Sequence, residues 1–530
     1  MPIRLSKTFC AILEKREFLR EELLLERDYS GDITSIPRLE HALDIIKRTI
    51  NDKKKLAIAA DYDCDGITSA AQFCQFLKSF GISAPVFFPD RYLEGYGLNQ
   101  RIIESAYSFG SQLLICLDFG SSSNSLIQLA NNMGIKVVVL DHHKLSGNLP
   151  ESDKSSVIIS SQFGRSTVQP LCTSGLTFFF LSLLADELKV NLEKCLSQEL
   201  LELATVGTLC DMVPLRKINR LLVSRGLIAL EQPRNLGLTT LASLEGKTSI
   251  SQKEICFSIG PKLNAAGRLN DPSYSLELLT TEDSQRALEL AIKLTEFNED
   301  RKLEQKRGTE IALDISRNYD GPALAVYSKH FKLGVIGLIA QKLVEIKKLP
   351  VAIMANDGAN LIKGSARVPR GFDCFLALQT CSNLLEKFGG HKYAGGFSLR
   401  NDSTAKDFEE SWVRFFEGNN LKLEPEFDCV AEVDDLNLSL VDEFELLKPF
   451  GVGNPEPKLL FKDCFITNAV KRQYNTEITV SYQNKTFKAS LSGYLQTQSK
   501  LERKIDIIAA LKKESIHGFN HVVLQIKELV

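Results

Sequence analysis

The chain has 530 residues, too many for one hydrophobic core and enough for about three domains of ordinary size. Hydrophobic residues make up 44% and charged residues 25%, as in water-soluble globular proteins, and no apolar run approaches the roughly 20 residues that span a bilayer. The net charge of −2 argues against a uniformly basic nucleic-acid binder. From Lys448 to the end, however, 13 basic residues face seven acidic ones, so a local basic surface is expected there.

The cysteines and the N-terminus indicate the cellular compartment. The 12 cysteines are scattered singly without a Cys-x-x-Cys pair, which argues against a zinc module and a disulfide framework. The N-terminal stretch becomes charged too early for a secretory signal. We therefore expect reduced thiols and a cytoplasmic protein.

The first predicted element with chemical interest is the buried strand Leu56–Ala60. The motif DYDCDG follows it and places Asp61, Asp63 and Asp65 at alternate positions. In an extended chain these side chains would share one face at the carboxyl end of the strand, where open α/β sheets place their sites. Carboxylates this close repel one another, so a bound cation is favoured over a solvated acidic loop. An EF-hand calcium loop would need a glutamate where this chain has Gln72.

Strands and helices alternate in the following segment. A helix is predicted over Ile67–Phe80, a strand in SAPVFF, and a second apolar strand in QLLICLDFG, which ends at Asp118. SNSLIQLANNMG predicts a helix, and KVVVLDHHK a third strand that ends at Asp141, His142 and His143. This alternation predicts a doubly wound parallel sheet.

The second half of the chain changes character twice. A helical stretch with the sequence LATVGTLCDMVPL contains Asp211, and a long amphipathic connecting helix is predicted over residues 281–318. The next lobe, roughly Gly321–Glu417, begins with the strand-like run ALAVYS and holds the glycine-rich stretches LIKGSARVPRG and FGGHKYAGGFSL. After about Pro425, short alternating runs such as EITVSYQ and TFKASLSGYL predict a small all-β barrel.

Candidate ligands stand at several predicted strand or helix ends. Separately each has an ordinary interpretation as a helix cap, a turn residue or a structural histidine. Together they form an oxygen-rich set with imidazole, which suits a pair of Mn²⁺ or Mg²⁺ ions better than zinc and favours manganese. Two such ions can clamp the attacking and leaving oxygens of a phosphate ester. The set comprises Asp61, Asp63, Asp118, His142, His143 and Asp211.

These motifs carry a resemblance to a known family. DYDCDG, LDFG, LDHH and GTLCDMVPL, in this order, resemble the successive motifs of the DHH phosphoesterases. GPKLNAAGRLND, LGVIGLIAQKL, GSARV, GGHKYAGG and LKPFGVGNPEP are similar to those of the single-stranded-DNA-specific 5′ exonucleases within that family, and the resemblance runs from about residue 35 to the end. Shorter members, which act on oligoribonucleotides or nucleotides, lack the PFGxGNPEP segment and the terminal barrel.

The resemblance implies a role for each matching residue. It implies that Asp118 bridges two metal ions, that His143 lies beside the scissile phosphate and that Asp65 is also catalytic. The complete set of implied metal ligands is Asp61, Asp63, Asp118, His142 and Asp211. The implied substrate-binding residues are Arg91, Arg268, Arg367, His391, Asn264 and Ser365. Arginine forks match phosphate oxygens, which supports part of this set independently.

The sequence departs from the family pattern at two places. VIISSQFG stands where the family commonly has Asn-Pro. Phe331 and Lys332 stand where the family usually has Trp-His before GVIG, so no role for that histidine transfers to this chain. None of the implied metal ligands is affected.

The resemblance also implies the domain organisation and the activity. We expect an N-terminal extension (1–40), an α/β DHH domain (41–280), a connecting helix (281–320), a DHHA1-type α/β domain (321–420) and an OB-like barrel (421–530). The implied activity is 5′→3′ hydrolysis of single-stranded DNA to 5′-mononucleotides in repair and recombination. The implied protein is a monomer without a membrane partner. Its implied protein partners are a single-strand-binding protein and a helicase. Two alternatives remain, an oligoribonuclease or phosphodiesterase acting on short RNA and a non-catalytic DNA-binding replication scaffold. The retained ligand set argues against the scaffold.

Overall fold

The computed structural model describes residues 5–27, 29–91, 94–143, 156–160, 162, 170–190, 197–269, 271–357, 361–400, 403–418, 425–472, 475–492, 504–516 and 518–530. They pack as two compact units. The larger comprises Asp32–Asp211 and Arg225–Leu423, and the smaller comprises Met1–Gly31, Met212–Ser224 and Glu424–Val530. Within the described ranges, no helix combines the length and the apolar character that crossing a membrane requires.

The chain begins with helices and then builds a parallel sheet. Its elements are α1 Lys7–Lys15, α2 Arg20–Leu23, α3 Ser30–Thr34, α4 Leu39–Asn51, β1 Leu56–Ala60, α5 Cys64–Lys78, β2 Val86–Phe87, α6 Gln100–Phe109, β3 Leu113–Leu117, α7 Asn124–Asn132, β4 Lys136–Leu140 and β5 Ser156–Ile159. The strand order is β2-β1-β3-β4-β5, with parallel pairing throughout. Every residue of β1 and β3 is buried, as expected when helices cover both faces of a sheet. The predicted doubly wound sheet is confirmed.

The start of α5 differs from the expectation of an extended DYDCDG segment. The helix begins at Cys64 rather than Ile67, because the Asp63 side chain caps the backbone N–H groups of Asp65 and Gly66. A Cβ at Gly66 would lie 2.4 Å from the Asp61 carbonyl oxygen, so only glycine permits this turn. The prediction that the three aspartates alternate along one extended face was therefore wrong for Asp65, which lies in the first turn of α5, whereas Asp63 keeps an extended backbone as the N-cap.

A largely helical region follows. It contains α8 Thr173–Leu188, α9 Ser197–Cys210, α10 Lys217–Ala229, α11 Leu236–Ser243, α12 Gln252–Glu254, a π-helix Ile255–Ile259, α13 Gly260–Leu269, α14 Ser273–Thr280 and α15 Ser284–Ile315. The predicted connecting helix is α15, which begins after Asp283 because that side chain caps its first backbone N–H groups.

The larger unit holds a second, mixed sheet. Its elements are β6 Leu324–Tyr327, a 3-10 turn Leu333–Val335, α16 Ile336–Lys347, β7 Val351–Asn356, β8 Ile362–Arg367, α17 Cys374–Thr380, a 3-10 turn Ser382–Leu384, β9 Leu385–His391, β10 Ala394–Leu399 and α18 Ala405–Phe416. The order is β6-β7-β8-β10-β9, in which only β6 and β7 pair in parallel. GGHKYAGG is the hairpin of β9 and β10.

The smaller unit is a closed barrel. It contains β11 Cys429–Val430, α19 Leu438–Glu445, β12 Leu459–Lys471, β13 Asn475–Tyr482, β14 Lys485–Ser492, β15 Lys504–Ile516 and β16 Phe519–Leu529. The order is β11-β12-β13-β14-β16-β15, and β15 also pairs with β12, which closes five strands into the predicted barrel. Helix α1 buries Phe9 and Ile12 in the same core as Phe461.

Candidate metal centre

The carboxyl ends of three neighbouring strands bring the predicted ligands together. Asp61 follows β1, Asp118 follows β3, and Asp141 follows β4. The chain passes from β1 to β2 on one side of the sheet and to β3 on the other, so Asp61 and Asp118 flank the topological switch point, where such sheets bind ligands. Asp118 has a φ of 68°, an uncommon left-handed conformation of the kind that clusters at functional sites.

The start of α8 holds two of these acids in place. Both carboxylate oxygens of Asp65 accept backbone N–H groups, from Thr173 at 2.8 Å and from Ser174 at 2.7 Å. The Thr173 hydroxyl donates to Oδ1 of Asp118 at 3.0 Å. Asp65 therefore fixes the first turn of α8, and α8 in turn orients Asp118.

His142 points into a group of carboxylates. Its Nε2 lies 3.3 Å from Oδ1 of Asp118, 3.5 Å from Oδ2 of Asp211 and 3.7 Å from Oδ2 of Asp65. Adjacent ligands of an octahedral ion with bonds of about 2.1 Å lie about 3 Å apart, so these separations resemble those of donors around one cation.

The donor atoms form three overlapping groups, each of which could hold a metal ion. Asp118 and His142 each belong to two of them, and the bridging of two ions by Asp118 stays a prediction. The groups are Asp61, Asp63 and Asp118; Asp118, His142 and His143; and Asp65, His142 and Asp211. Three buried donor atoms in these groups, Oδ1 of Asp61, Nε2 of His142 and Oδ2 of Asp211, have no hydrogen-bond partner among the described residues. A buried polar atom without a partner is costly, and cations would satisfy all three.

The electrostatics of the centre also favour cations. Burial and the neighbouring aspartates raise the pKa values of Asp61, Asp118 and Asp211 well above the usual range. Burial lowers the pKa of His142, which favours the neutral imidazole that metal binding requires. A divalent cation would reverse the repulsion that these carboxylates suffer.

Asp141 orients both histidines without facing the ligand cluster. Its Oδ1 accepts the backbone N–H of His142 at 2.7 Å and lies 2.8 Å from Nδ1 of His143. Burial acts to raise the pKa of Asp141, but the contacts with His143 hold it well below the usual range. The Tyr96 hydroxyl, which the sequence analysis did not single out, lies 2.9 Å from Nδ1 of His143 and donates to the backbone oxygen of Asp118 at 2.6 Å. Its sequence signal, a tyrosine in a glycine-rich loop, is weak.

Several of the predicted phosphate-binding residues lie around this centre. The guanidinium of Arg91 lies 4.9 Å from the ring centre of Tyr62, between two aspartates of the DYD motif. Arg268 contacts the Gly334 oxygen at 3.4 Å, and burial and the nearby guanidinium groups lower its pKa. The rings of His391 and His143 stack at 6.4 Å, which brings the glycine-rich hairpin beside the metal centre.

Two other predicted substrate-binding residues have structural partners. The Ser365 hydroxyl accepts a hydrogen bond from Arg367 at 2.9 Å and so positions that guanidinium. The Asn264 side-chain oxygen accepts the backbone N–H of Cys64 at 2.9 Å, at the start of α5. Each of them therefore orients part of the centre, and their contact with substrate stays a prediction.

Arg301 is a further cation that sequence reasoning missed. It lies on α15, contacts the neutral side chains of Asn298 at 3.1 Å and Gln305 at 3.3 Å, and contributes to the lowered pKa of Arg268. Its sequence signal was available, because Asn298, Arg301 and Gln305 interrupt the buried stripe of α15 at helical spacing.

Comparisons with known proteins match this architecture. Residues 55–208 match the DHH family, N-terminal domain, residues 320–417 the DHHA1 domain, and residues 427–528 the RecJ OB domain. The fold is similar to a crystal structure of RecJ in complex with Mn²⁺ from Thermus thermophilus, with a TM-score of 0.82 and 23% identity over 99% of this chain and 76% of that one.

Two curated relatives are similar in sequence over most of the chain. The single-stranded-DNA-specific exonuclease RecJ of Bacillus subtilis (strain 168) is 31% identical over 86% of this chain, which spans 58% of the relative's length. The protein of the same name from Dickeya dadantii (strain 3937) is 30% identical over 83% of this chain and 81% of its own length. The chain therefore belongs to the RecJ family of DHH proteins.

Proposed function

We propose that the chain is a metal-dependent exonuclease that degrades single-stranded DNA from its 5′ end and releases 5′-mononucleotides. The observation that carries the proposal is the donor cluster around Asp118, with three buried donor atoms that lack a hydrogen-bond partner among the described residues and that bound cations would satisfy. The two relatives of the chain described above are named single-stranded-DNA-specific exonucleases, which supports single-stranded DNA as the substrate.

The residues fit a pair of Mn²⁺ or Mg²⁺ ions. We assign their binding to Asp61, Asp63, Asp118, His142 and Asp211, because these side chains offer carboxylate oxygens and one neutral imidazole. Such ions, when bound, lower the pKa of a water molecule and neutralise charge on a phosphate. Asp65 acts in this proposal as a positioning residue, since both of its oxygens already accept hydrogen bonds from α8.

The chain's own cations would hold the substrate. Because Nδ1 of His143 is engaged by Asp141, we assign Nε2, which lies 3.4 Å from the Tyr96 hydroxyl, to contact a phosphate oxygen. Arg268 is repelled by neighbouring guanidinium groups, and a phosphate would relieve that repulsion. Arg367, held by Ser365, is assigned to the terminal 5′-phosphate, which carries more charge than an internal one.

The barrel would supply affinity for longer strands. It carries the exposed aromatic residues Phe465 and Phe519, and Lys504 lies 6.0 Å from the ring centre of Phe465. Aromatic faces stack on bases of any sequence, and lysines track the phosphates. We further propose that the protein acts in the cytoplasm as a monomer, and that a single-strand-binding protein and a helicase present its substrate.

The proposal is tested with labelled oligonucleotides of one sequence, as DNA, as RNA and as blunt duplex DNA, each incubated with Mn²⁺, Mg²⁺ or EDTA. We expect mononucleotides from single-stranded DNA with either metal and none with EDTA. Preferential hydrolysis of the RNA strand would replace the proposal with an oligoribonuclease. Binding without hydrolysis in any metal would indicate a scaffold.

A further inference from the structure

One face of the β8–β10–β9 half of the second sheet is built from three rows of side chains. The antiparallel registers align each row across the three strands, so its members point to the same side of the sheet. The rows are Arg367, Ala394 and His391; Ser365, Gly396 and Gly389; and Lys363, Ser398 and Lys387.

Among the described residues, no helix layer covers the β10–β9 part of this face. On the same side of the sheet, α16 packs against β6 and β7 through residues such as Ile339 and Ile353. It also reaches β8, where a Cβ at Gly337 would lie 3.1 Å from the Ser365 hydroxyl. The opposite side is buried under α17 and α18, with Phe397 against Phe408. Gly396 lies on an interior strand and is nevertheless exposed, which shows that the face of β10 is open.

The open face is basic and continuous with the metal centre. Its first row ends at His391, whose ring stacks on His143. Its last row contributes Lys363 and Lys387, and none of the nine residues is acidic. Lys363 lies 3.7 Å from Asp357, so its charge is partly balanced. Lys387 is exposed, and no ion pair engages it in the part of the chain that the structure describes.

We propose that this face carries the backbone of the single strand beside the metal centre and that the row Lys363–Ser398–Lys387 is a second phosphate subsite. The inference rests on the proposed function and extends it to a site about 13 Å from the Arg367 row, the length of four residues along a strand. Charge complementarity and continuity with the centre select a nucleic-acid strand as the occupant, since phosphates are the anions that the proposed function assigns to the neighbouring residues.

The middle row of the face, which we call its floor, holds two glycines that the fold itself does not require. A Cβ at Gly389 meets no atom within 4 Å, and a Cβ at Gly396 meets only the Gly364 oxygen at 3.9 Å. Larger residues would therefore fit the fold and would project into the space assigned to the strand. Gly395 provides the contrast, because a Cβ there would lie 2.5 Å from Leu378 in the core.

The test measures binding of full-length protein to a 5′-phosphorylated oligodeoxythymidylate of 12 nucleotides and to the dinucleotide, in EDTA so that no hydrolysis occurs, over a range of salt concentrations. Lys387→Gln should weaken binding of the long strand about fivefold and lower the slope of log K against log salt by about one, because one phosphate contact is lost. Binding of the dinucleotide, which is too short to reach the second row, should not change.

The matched control is Lys406→Gln. Lys406 is exposed in the first turn of α18, on the opposite side of the same sheet, and its loss should change neither affinity nor slope. Gly396→Leu should retain the thermal stability of the wild type and weaken binding of both oligonucleotides about tenfold or more, by blocking the floor.

Equal slopes for Lys387→Gln and Lys406→Gln would overturn the subsite. Unchanged strand binding by Gly396→Leu, together with an altered oligomeric state in sedimentation, would assign the face to a second copy of the chain instead. Failure of the proposed function has a separate signature, since wild type would then show no hydrolysis of the long strand with Mn²⁺.

Discussion

Asp118 is the residue on which the centre depends most. It shares two of the three donor groups, adopts a left-handed backbone conformation and receives a hydrogen bond from Thr173. Asp118→Asn keeps the shape of the side chain and removes its charge. Substitution of residues that only orient metal ligands typically lowers metal affinity or activity about 10-fold to 100-fold. We therefore expect the rate of hydrolysis with Mn²⁺ to fall by about a hundredfold or more.

The effect of Mn²⁺ on thermal stability shows whether Asp118→Asn loses metal binding or only catalytic activity. Mn²⁺ should raise the Tm of wild type, since it binds only the folded state, and should raise that of Asp118→Asn much less. Asp434→Asn, at a highly exposed carboxylate of the smaller unit, serves as the control and should behave as wild type. Full activity of Asp118→Asn would remove the bridging role.

Arg367 carries the prediction about the 5′ end. A charge-assisted hydrogen bond contributes roughly 1.5 to 3 kcal/mol, so Arg367→Ala should narrow the preference for 5′-phosphorylated over 5′-hydroxyl strands by about tenfold or more. The measurement is the ratio of kcat/KM on the two substrates, with Arg414→Ala, an exposed position on α18, as the control. An unchanged ratio, even at reduced activity, would show that Arg367 does not read the strand end.

The sequence predicted the carboxylates and histidines better than their supporting contacts. Ligands follow buried strands, and hydropathy reveals where those strands end, so the positions of Asp61, Asp118 and His142 were accessible. Tyr96 was not, because its contact with His143 spans 47 residues and depends on the path of a loop. Arg301 could have been found, had polar residues in the buried stripe of a long helix been taken as a site signal.

At the scale of elements, Asp65 links α5 to α8. Its carboxylate caps two backbone N–H groups of α8, a contact that spans 108 and 109 residues and that no local pattern reveals. Asp65→Asn removes one acceptor oxygen, so we expect the free energy of unfolding to fall by about 1 to 2 kcal/mol without metal, as for a lost helix cap. Mn²⁺ affinity should also fall, because α8 positions Asp118.

The control for this prediction is a cap far from the centre. Asp373 caps α17 by accepting the N–H of Leu376, and Asp373→Ala should lower the free energy of unfolding while leaving Mn²⁺ affinity unchanged. The two variants are compared by thermal unfolding and by metal titration. Loss of stability without loss of Mn²⁺ affinity in Asp65→Asn would reduce Asp65 to a purely structural cap.

At the scale of the whole molecule, the smaller unit is assembled from three distant segments. Arg220 is almost fully buried and donates hydrogen bonds to the backbone oxygens of Glu22, Leu446 at 2.6 Å and Lys448 at 2.9 Å. Arg16 binds Asp428 at 2.7 Å. Removing the barrel would therefore expose the apolar face of α1, so point substitutions are better tests of its function than truncation.

Arg220→Met should loosen this assembly. The substitution leaves three backbone oxygens without their donor, and each buried unsatisfied group costs about 1 to 3 kcal/mol. We therefore expect the free energy of unfolding to fall by about 3 kcal/mol or more. Hydrogen exchange should accelerate in α2, which holds Glu22, and in α19, whereas Arg20→Met, at an exposed position, should have no effect. Wild-type exchange in Arg220→Met would show that the hydrogen bonds of Arg220 do not hold α2.

The sequence predicted the parallel sheet, the long helix and the barrel, but not the packing of the N-terminal segment against the barrel. Periodicity distinguishes a parallel sheet, a long helix and a barrel, because each depends on local patterns. The pairing of Arg16 with Asp428 depends on tertiary packing between two amphipathic segments. Many other segments of the chain would be equally suitable partners for such a pattern.

The polarity and the product of hydrolysis decide whether the chain is a 5′ exonuclease. A single-stranded DNA of 20 nucleotides, labelled in separate samples at its 5′-phosphate and at its 3′ end, is followed over time with Mn²⁺. We expect the 5′ label to appear at once as a mononucleotide, while the 3′ label passes through a ladder of shortening strands. Immediate release of the 3′ label as a mononucleotide, or internal fragments from both samples, would contradict this expectation.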